Sequence, residues 1–173
     1  MNDFNMIVTT YRYREEEAED EILEVLEQFG DDKAVSELTD IRGLVLVRTS
    51  ISPLDAVARL KDLVSSEPWL VRYILRVLPV QSVVASDLES IAQKAKLLAS
   101  AIGEGDTFRI TVEKRHTPIR SQEVIGVIAQ DVPNKVDLEN PVWVILVQII
   151  GPQAGISVIK PDQIFSSIVE KRK

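Results

Sequence analysis

The sequence predicts a mixed α/β (α+β) protein built from two units, on three observations. Strand-like and helix-like segments alternate along most of the chain. Their order changes near residue 82. The charge also changes: residues 1–67 carry 7 Lys/Arg against 16 Asp/Glu, whereas residues 68–173 carry 13 against 11. With 173 residues, 45% hydrophobic and 27% charged, the chain has the composition of a folded globular protein with a sizeable core.

The first half opens with Asn5 to Tyr11, a strand-like run rich in β-branched and aromatic residues. Glu15 to Phe29 places Ala18, Ile22, Val25, Leu26 and Phe29 at helical spacing, and Gly30 stops it. Ala34–Leu38 and Gly43–Arg48 read as strands. Ser52 and Pro53 open a second helix as N-cap and first helical residue, with Leu54, Val57, Leu60, Leu63 and Val64 on its apolar face. A last strand is expected from about Val71 to Val80. The order βαββαβ is that of a ferredoxin-like domain, expected over residues 1–82.

RNA-recognition modules share this order and stack bases on aromatic residues of the third strand. Here that strand reads Arg42-Gly43-Leu44-Val45-Leu46-Val47, so a stacking site of that kind is excluded. Tyr11 and Tyr13, on the first strand, are expected to be partial core, the alternative being that they stack a base. The acidic run Glu15 to Glu21 suits the positive N-terminal end of its helix and is expected to be a solvated face.

The second half, residues 83–173, follows the order α-β-α-β-β after a junction at Val80–Ser86. Ser86-Asp87 cap a helix from Leu88 to about Ile102, and Gly103 terminates it. Thr107 to Glu113 alternates as a strand, a basic loop follows, and Ser121 is expected to cap a helix through Val124, Ile125, Ile128 and Ala129. Val136 to Pro141 is a short extended stretch and turn. Val142–Ile150 is almost continuously apolar, as in a central strand, and Gly155–Lys160 closes the unit.

The chemistry that the composition excludes is considerable. There is no cysteine and only one histidine, so thiolate catalysis, disulfides, Cys-based metal centres and His-rich metal sites are ruled out. No Gly-rich phosphate cradle or other cofactor motif is found, and no pair of titratable groups carries acid–base roles, so no enzyme activity, cofactor or metal is expected. The N-terminus lacks a signal peptide's basic and apolar regions, and no segment approaches the roughly 20 apolar residues that a membrane span needs. A cytoplasmic protein is the expectation.

What remains is the loop of Lys114, Arg115, His116 and Arg120, four basic residues within seven positions, set between a strand and a helix. A helix N-terminus leaves N–H groups unpaired and carries partial positive charge. With the flanking cations it can hold a phosphate without reading a base.

Phe108-Arg109-Ile110, Glu113-Lys114-Arg115, Ile119, Ser121 and Val136-Asp137-Leu138 with Asn140-Pro141 resemble the pattern of the THUMP domain. Leu78-Pro79-Val80 and Leu88–Ile91 resemble the entry to such domains. Val142 departs from it, standing where the family commonly has an acidic residue. The chain as a whole resembles the stand-alone archaeal THUMP proteins, which are similar to the adaptor that assists N4-acetylcytidine formation in eukaryotic tRNA. The resemblance implies binding to the acceptor stem and 3′-CCA region of tRNA. As the sequence stops at Lys173, it also implies a separate tRNA-modifying enzyme as partner, an RNA acetyltransferase being the expected case. The RNA-binding residues it implies are Arg109, Lys114, Arg115, His116, Arg120 and Ser121, with Lys135 and Lys160 as further candidates. Arg109 has an alternative role, a salt bridge to Glu113 on the sheet face. The competing reading for the whole chain is a ferredoxin-like module that binds a small regulatory molecule.

Overall fold

The computed structural model describes residues 1–173 and resolves into two units, each with its own sheet. The first begins with β1 (Met6–Thr9), α1 (Glu15–Gln28), β2 (Val35–Leu38), β3 (Leu44–Arg48), α2 (Pro53–Ser66) and β4 (Arg76–Pro79). Strand β1 lies between β3 and β4, antiparallel to both, with Ile7 opposite Leu46 on one side and Leu78 on the other. The apolar faces of α1 and α2 (Ala18, Ile22, Val25 and Leu26; Ala56, Val57, Leu60 and Val64) pack with Met6, Val8, Val45, Val47 and Val77 in one core. Ser52 caps α2, its hydroxyl accepting the Asp55 N–H, and Pro53 follows as expected.

Two expectations for this unit are corrected by the same carboxylate. The strand expected from Val71 begins only at Arg76, because the consecutive N–H groups of Arg72, Tyr73 and Ile74 donate to Glu21 at 2.8–2.9 Å. N–H groups gathered on one carboxylate cannot also enter a ladder. The acidic run of α1 is accordingly more than a solvated face. Glu15 accepts the Gly43 N–H at 2.8 Å and Glu19 the Ser36 hydroxyl at 2.6 Å.

The second unit contains β5 (Ser82–Ala85), α3 (Leu88–Leu98), β6 (Phe108–Arg115), α4 (Ser121–Ala129), β7 (Trp143–Ile150) and β8 (Gln153–Ile159). Its sheet has the order β5-β8-β7-β6, in which β6 and β7 run parallel and the other pairs antiparallel. The apolar strand β7 is internal, as its composition requires. Ile145, Val147 and Ile149 from β7 and Ile156 and Val158 from β8 meet Ile91, Ala95, Val124 and Ile128 of the two helices. Strand β5 occupies part of the segment expected to be a junction.

The chain then returns. Strand β9 (Phe165–Ser166) pairs with β4 and α5 (Ser167–Lys171) follows it, so residues 162–173 group with the first unit rather than with the second, where the sequence placed them. Phe165 is fully buried in the first core, which supplies the driving force for the return.

Candidate nucleic-acid interface

The candidate residues occupy two ends of the second unit's sheet. Lys114 and Arg115 are the last residues of β6, which runs further than the sequence indicated. His116 follows in the left-handed region at φ 55°, a conformation histidine adopts more readily than most residues, and is exposed. Lys114 donates to the carbonyl of Ile119 at 3.0 Å and braces the loop into α4. Arg120 and Ser121 stand at the start of that helix.

Lys135 and Lys160 lie at the other end. The carbonyl of Lys135 accepts the Phe108 N–H at the start of β6, and Lys160 lies 5.5 Å from the ring centroid of Trp143 at the start of β7. At about 3.3 Å per residue along β6, the two groups are roughly 20 Å apart. They do not form one cluster.

Arg120, not Ser121, is the N-cap of α4. Arginine has no acceptor atom, so the cap is one-sided. Glu123 reaches back to take the Arg120 backbone N–H at 3.1 Å and its Nε at 3.4 Å. These hydrogen bonds, the backbone one foremost, and the charges of Arg120 and Lys114 hold the Glu123 carboxyl below its ordinary pKa. The N–H groups of Ser121 and Gln122 lie in the first turn, where no intrahelical acceptor exists. The helix start therefore offers N–H donors and cations, but with an anion already beside them.

Arg115 is less available than its position in the sequence implies. Its guanidinium bonds Gln148 Oε1 at 2.7 Å and Glu113 at 3.2 Å, and its side chain is 20% exposed. Glu113 thus pairs with Arg115, where the alternative role for Arg109 had paired it with Arg109. Arg109 instead donates to the Leu138 carbonyl at 3.0 Å.

That bond explains why the two most recognisable stretches occur together. Val136 bridges Phe108, the Asp137 N–H donates to the Phe108 carbonyl at 3.0 Å, and Arg109 holds Leu138. The Asp137 carboxylate accepts the N–H groups of Asn140 and Glu139 at 2.9 and 3.0 Å, which turns the chain into β7. The same two bonds lower its pKa, Asn140 first, with Lys135 adding a smaller Coulombic share. In Phe-Arg-Ile and Val-Asp-Leu-x-Asn-Pro, Phe108, Arg109, Val136, Asp137 and Leu138 fasten an edge segment to β6.

No group of three or more His, Asp or Glu side chains is placed to hold a metal ion, and no helix is long and apolar enough to cross a membrane. The sequence missed Gln148, for no motif marks a single amide inside an apolar strand.

Residues 85–159 match the family model described as the THUMP domain. The chain is 30% identical over 172 residues to THUMP domain-containing protein 1 of Bos taurus, a match covering 86% of this chain and 48% of that protein. It spans about half the length of the curated relatives it matches. Among solved structures, PH1313 from Pyrococcus horikoshii shares the fold with a TM-score of 0.63 at 23% identity, covering 90% of this chain and 55% of the other. A 4-thiouridine synthetase solved as an RNA complex with bound ATP does so with a TM-score of 0.57 at 15% identity, covering 91% and 42%. Residues 85–159 are thus a THUMP domain, in a chain similar over most of its length to THUMP domain-containing protein 1.

Proposed function

We propose that this protein binds tRNA at the acceptor stem and 3′-CCA region through its THUMP domain and presents it to a separate modifying enzyme. On this reading it is a non-enzymatic, cytoplasmic protein of archaeal type that serves cytidine N4-acetylation. The first unit is then a ferredoxin-like domain with an added edge strand, a reading supported by its strand order β2-β3-β1-β4-β9.

The observation that carries the proposal is the grouping of Lys114, His116 and Arg120, all exposed, around the start of α4 within the matched domain. These cations and the first-turn N–H groups suit phosphate oxygens, which position an RNA without reading its sequence. Lys135 and Lys160, at the far end of the sheet, are assigned to a second stretch of backbone, and Arg109 and Arg115 to bracing the surface between.

The test is a titration of tRNA at two salt concentrations with wild type and a Lys114→Glu/Arg120→Glu double variant. Arg115 is left intact because its loss would also disturb Glu113 and Gln148. Each phosphate contact contributes about 0.7–0.9 to the slope of log K against log salt, so the variant's slope is expected to be shallower by about 1.5. Equal slopes, or no tRNA binding by the wild type at low salt, would reject the assignment.

A further inference from the structure

The connection from β1 to α1, Tyr11-Arg12-Tyr13-Arg14, alternates aromatic rings with guanidinium groups, and all four residues are exposed. Tyr11 is 52% and Tyr13 70% exposed, so neither ring is the partial core that the sequence led us to expect. The turn is closed by the Arg14 N–H on the Tyr11 carbonyl at 3.1 Å, with Tyr13 at φ 69°. Glycine is the usual occupant of such a position. A tyrosine there costs stability and gains almost no burial. Arg42 lies with its guanidinium carbon 4.4 Å from the Tyr13 ring centroid and supports the ring from one side.

Tyr13, Arg42 and Leu38 border a groove of about 490 Å³, with Glu16 and Asp40 also lining it. That volume falls within the range typical of small-ligand sites. Two neighbouring carboxylates are already engaged, Glu15 by the Gly43 N–H and Glu17 by Arg14 at 3.1 Å. Glu16 and Asp40 are exposed acceptors. Acceptors beside a ring repel phosphate but suit an exocyclic amino group, as when Asp or Glu accepts from cytosine N4. Uracil has no such amine. An aromatic face, a flat cation and amine acceptors together describe a site for a base.

We propose that this groove takes one unpaired, amino-bearing nucleobase of an RNA strand, stacked against the Tyr13–Arg42 pair. Arg12, which precedes the ring in the chain and is exposed, meets the adjoining backbone, while Arg14 stays on Glu17. The site rests on the RNA-binding reading above and extends it to the first unit, through stacking rather than phosphate attraction.

Fluorescence anisotropy with an unstructured cytidine oligoribonucleotide, a uridine oligoribonucleotide of equal length and whole tRNA tests it. The variants are Tyr13→Gly and Tyr13→Phe. Glycine removes the ring and relieves the backbone, so the variant is expected to melt above the wild type while binding the cytidine strand about tenfold more weakly. Phenylalanine keeps the face and is expected to bind as the wild type does. The wild type is expected to prefer cytidine over uridine. Equal cytidine affinity in wild type and Tyr13→Gly, with tRNA binding intact, would overturn this site alone. So would a phenylalanine variant as weak as the glycine one, absence of cytidine preference, or capture of an arginine-rich peptide by the groove in place of RNA. A wild type that binds neither tRNA nor oligonucleotide would overturn the RNA-binding reading, and this site with it.

Discussion

Glu123 accepts hydrogen bonds from both the backbone N–H and the Nε of Arg120, so the start of α4 holds a carboxylate of its own chain. The basic loop is therefore partly neutralised before any ligand arrives. A phosphate approaching the helix must share its donors with Glu123 or displace it.

Glu123→Gln keeps an acceptor for the Arg120 N–H and removes the charge. Placing or removing one charge near a helix N-terminus is worth about 0.3–1 kcal/mol. If α4 meets a phosphate, tRNA affinity at low salt is expected to rise about two- to fivefold, as read by titration. Unchanged affinity would place the RNA backbone away from this helix.

Arg115 and Lys114 are adjacent in sequence but are expected to fail differently. Arg115→Ala takes the donor from Gln148, which is 1% exposed and whose Nε2 already lacks a partner. Leaving a buried polar group unsatisfied costs about 1–3 kcal/mol, so the urea midpoint should fall. Lys114→Ala, at an exposed position, should leave the midpoint nearly unchanged and reduce the salt dependence of tRNA binding.

Asp31 is 2% exposed, and burial opposes its ionisation. Hydrogen bonds from the Ser50 and Thr49 hydroxyls and from the N–H groups of Ser50 and Lys33 outweigh that penalty and lower its pKa to about 2. A depressed pKa in the folded state contributes stability above the ordinary value, near 3.8, which is lost as pH falls toward 2. The contribution is about 2 kcal/mol. Asp31→Asn should lower stability at neutral pH by a similar amount and flatten the acid limb of a melting-temperature profile between pH 4 and 2.

Gly43→Ala should destabilise the first unit. Gly43 has φ 76°, and a Cβ there would lie 2.7 Å from the Thr10 carbonyl oxygen, itself part of the close approach in which the Thr10 N–H bonds Gly43. Backbone strain and clash together should cost about 1–3 kcal/mol, measurable as a lower melting temperature. An equally stable variant would show that this turn adapts.

Much of the fold was legible because it is encoded locally. The helical spacing of Ala18, Ile22, Val25 and Leu26, the Ser52-Pro53 start and the apolar run now in β7 each act over a few neighbours. The failures lie where a distant group intervened. Glu21 drew Arg72–Ile74 out of the expected strand, Ser82–Ala85 found β8, and Phe165 carried the C-terminal residues back to β4. The site shows the same division. The basic residues were evident, but the engagement of Arg115 with Gln148, the Glu123 carboxylate beside Arg120 and the exposure of Tyr13 were not.

By itself the sequence determined helices α1 to α4, most strands, the absence of cysteine chemistry and the motifs that mark a THUMP domain, but not α5. Periodicity, capping and motif spacing work through short-range sterics and hydrogen bonds, so they are written in consecutive residues. Only the tertiary structure decided which cations stand together. Position along a strand assigns Lys114 to one end of β6 and Lys135 to the other, and strand pairing brings Gln148 to Arg115 across 33 residues. Those choices depend on which segments bury their apolar faces against one another, and no local pattern carries that information.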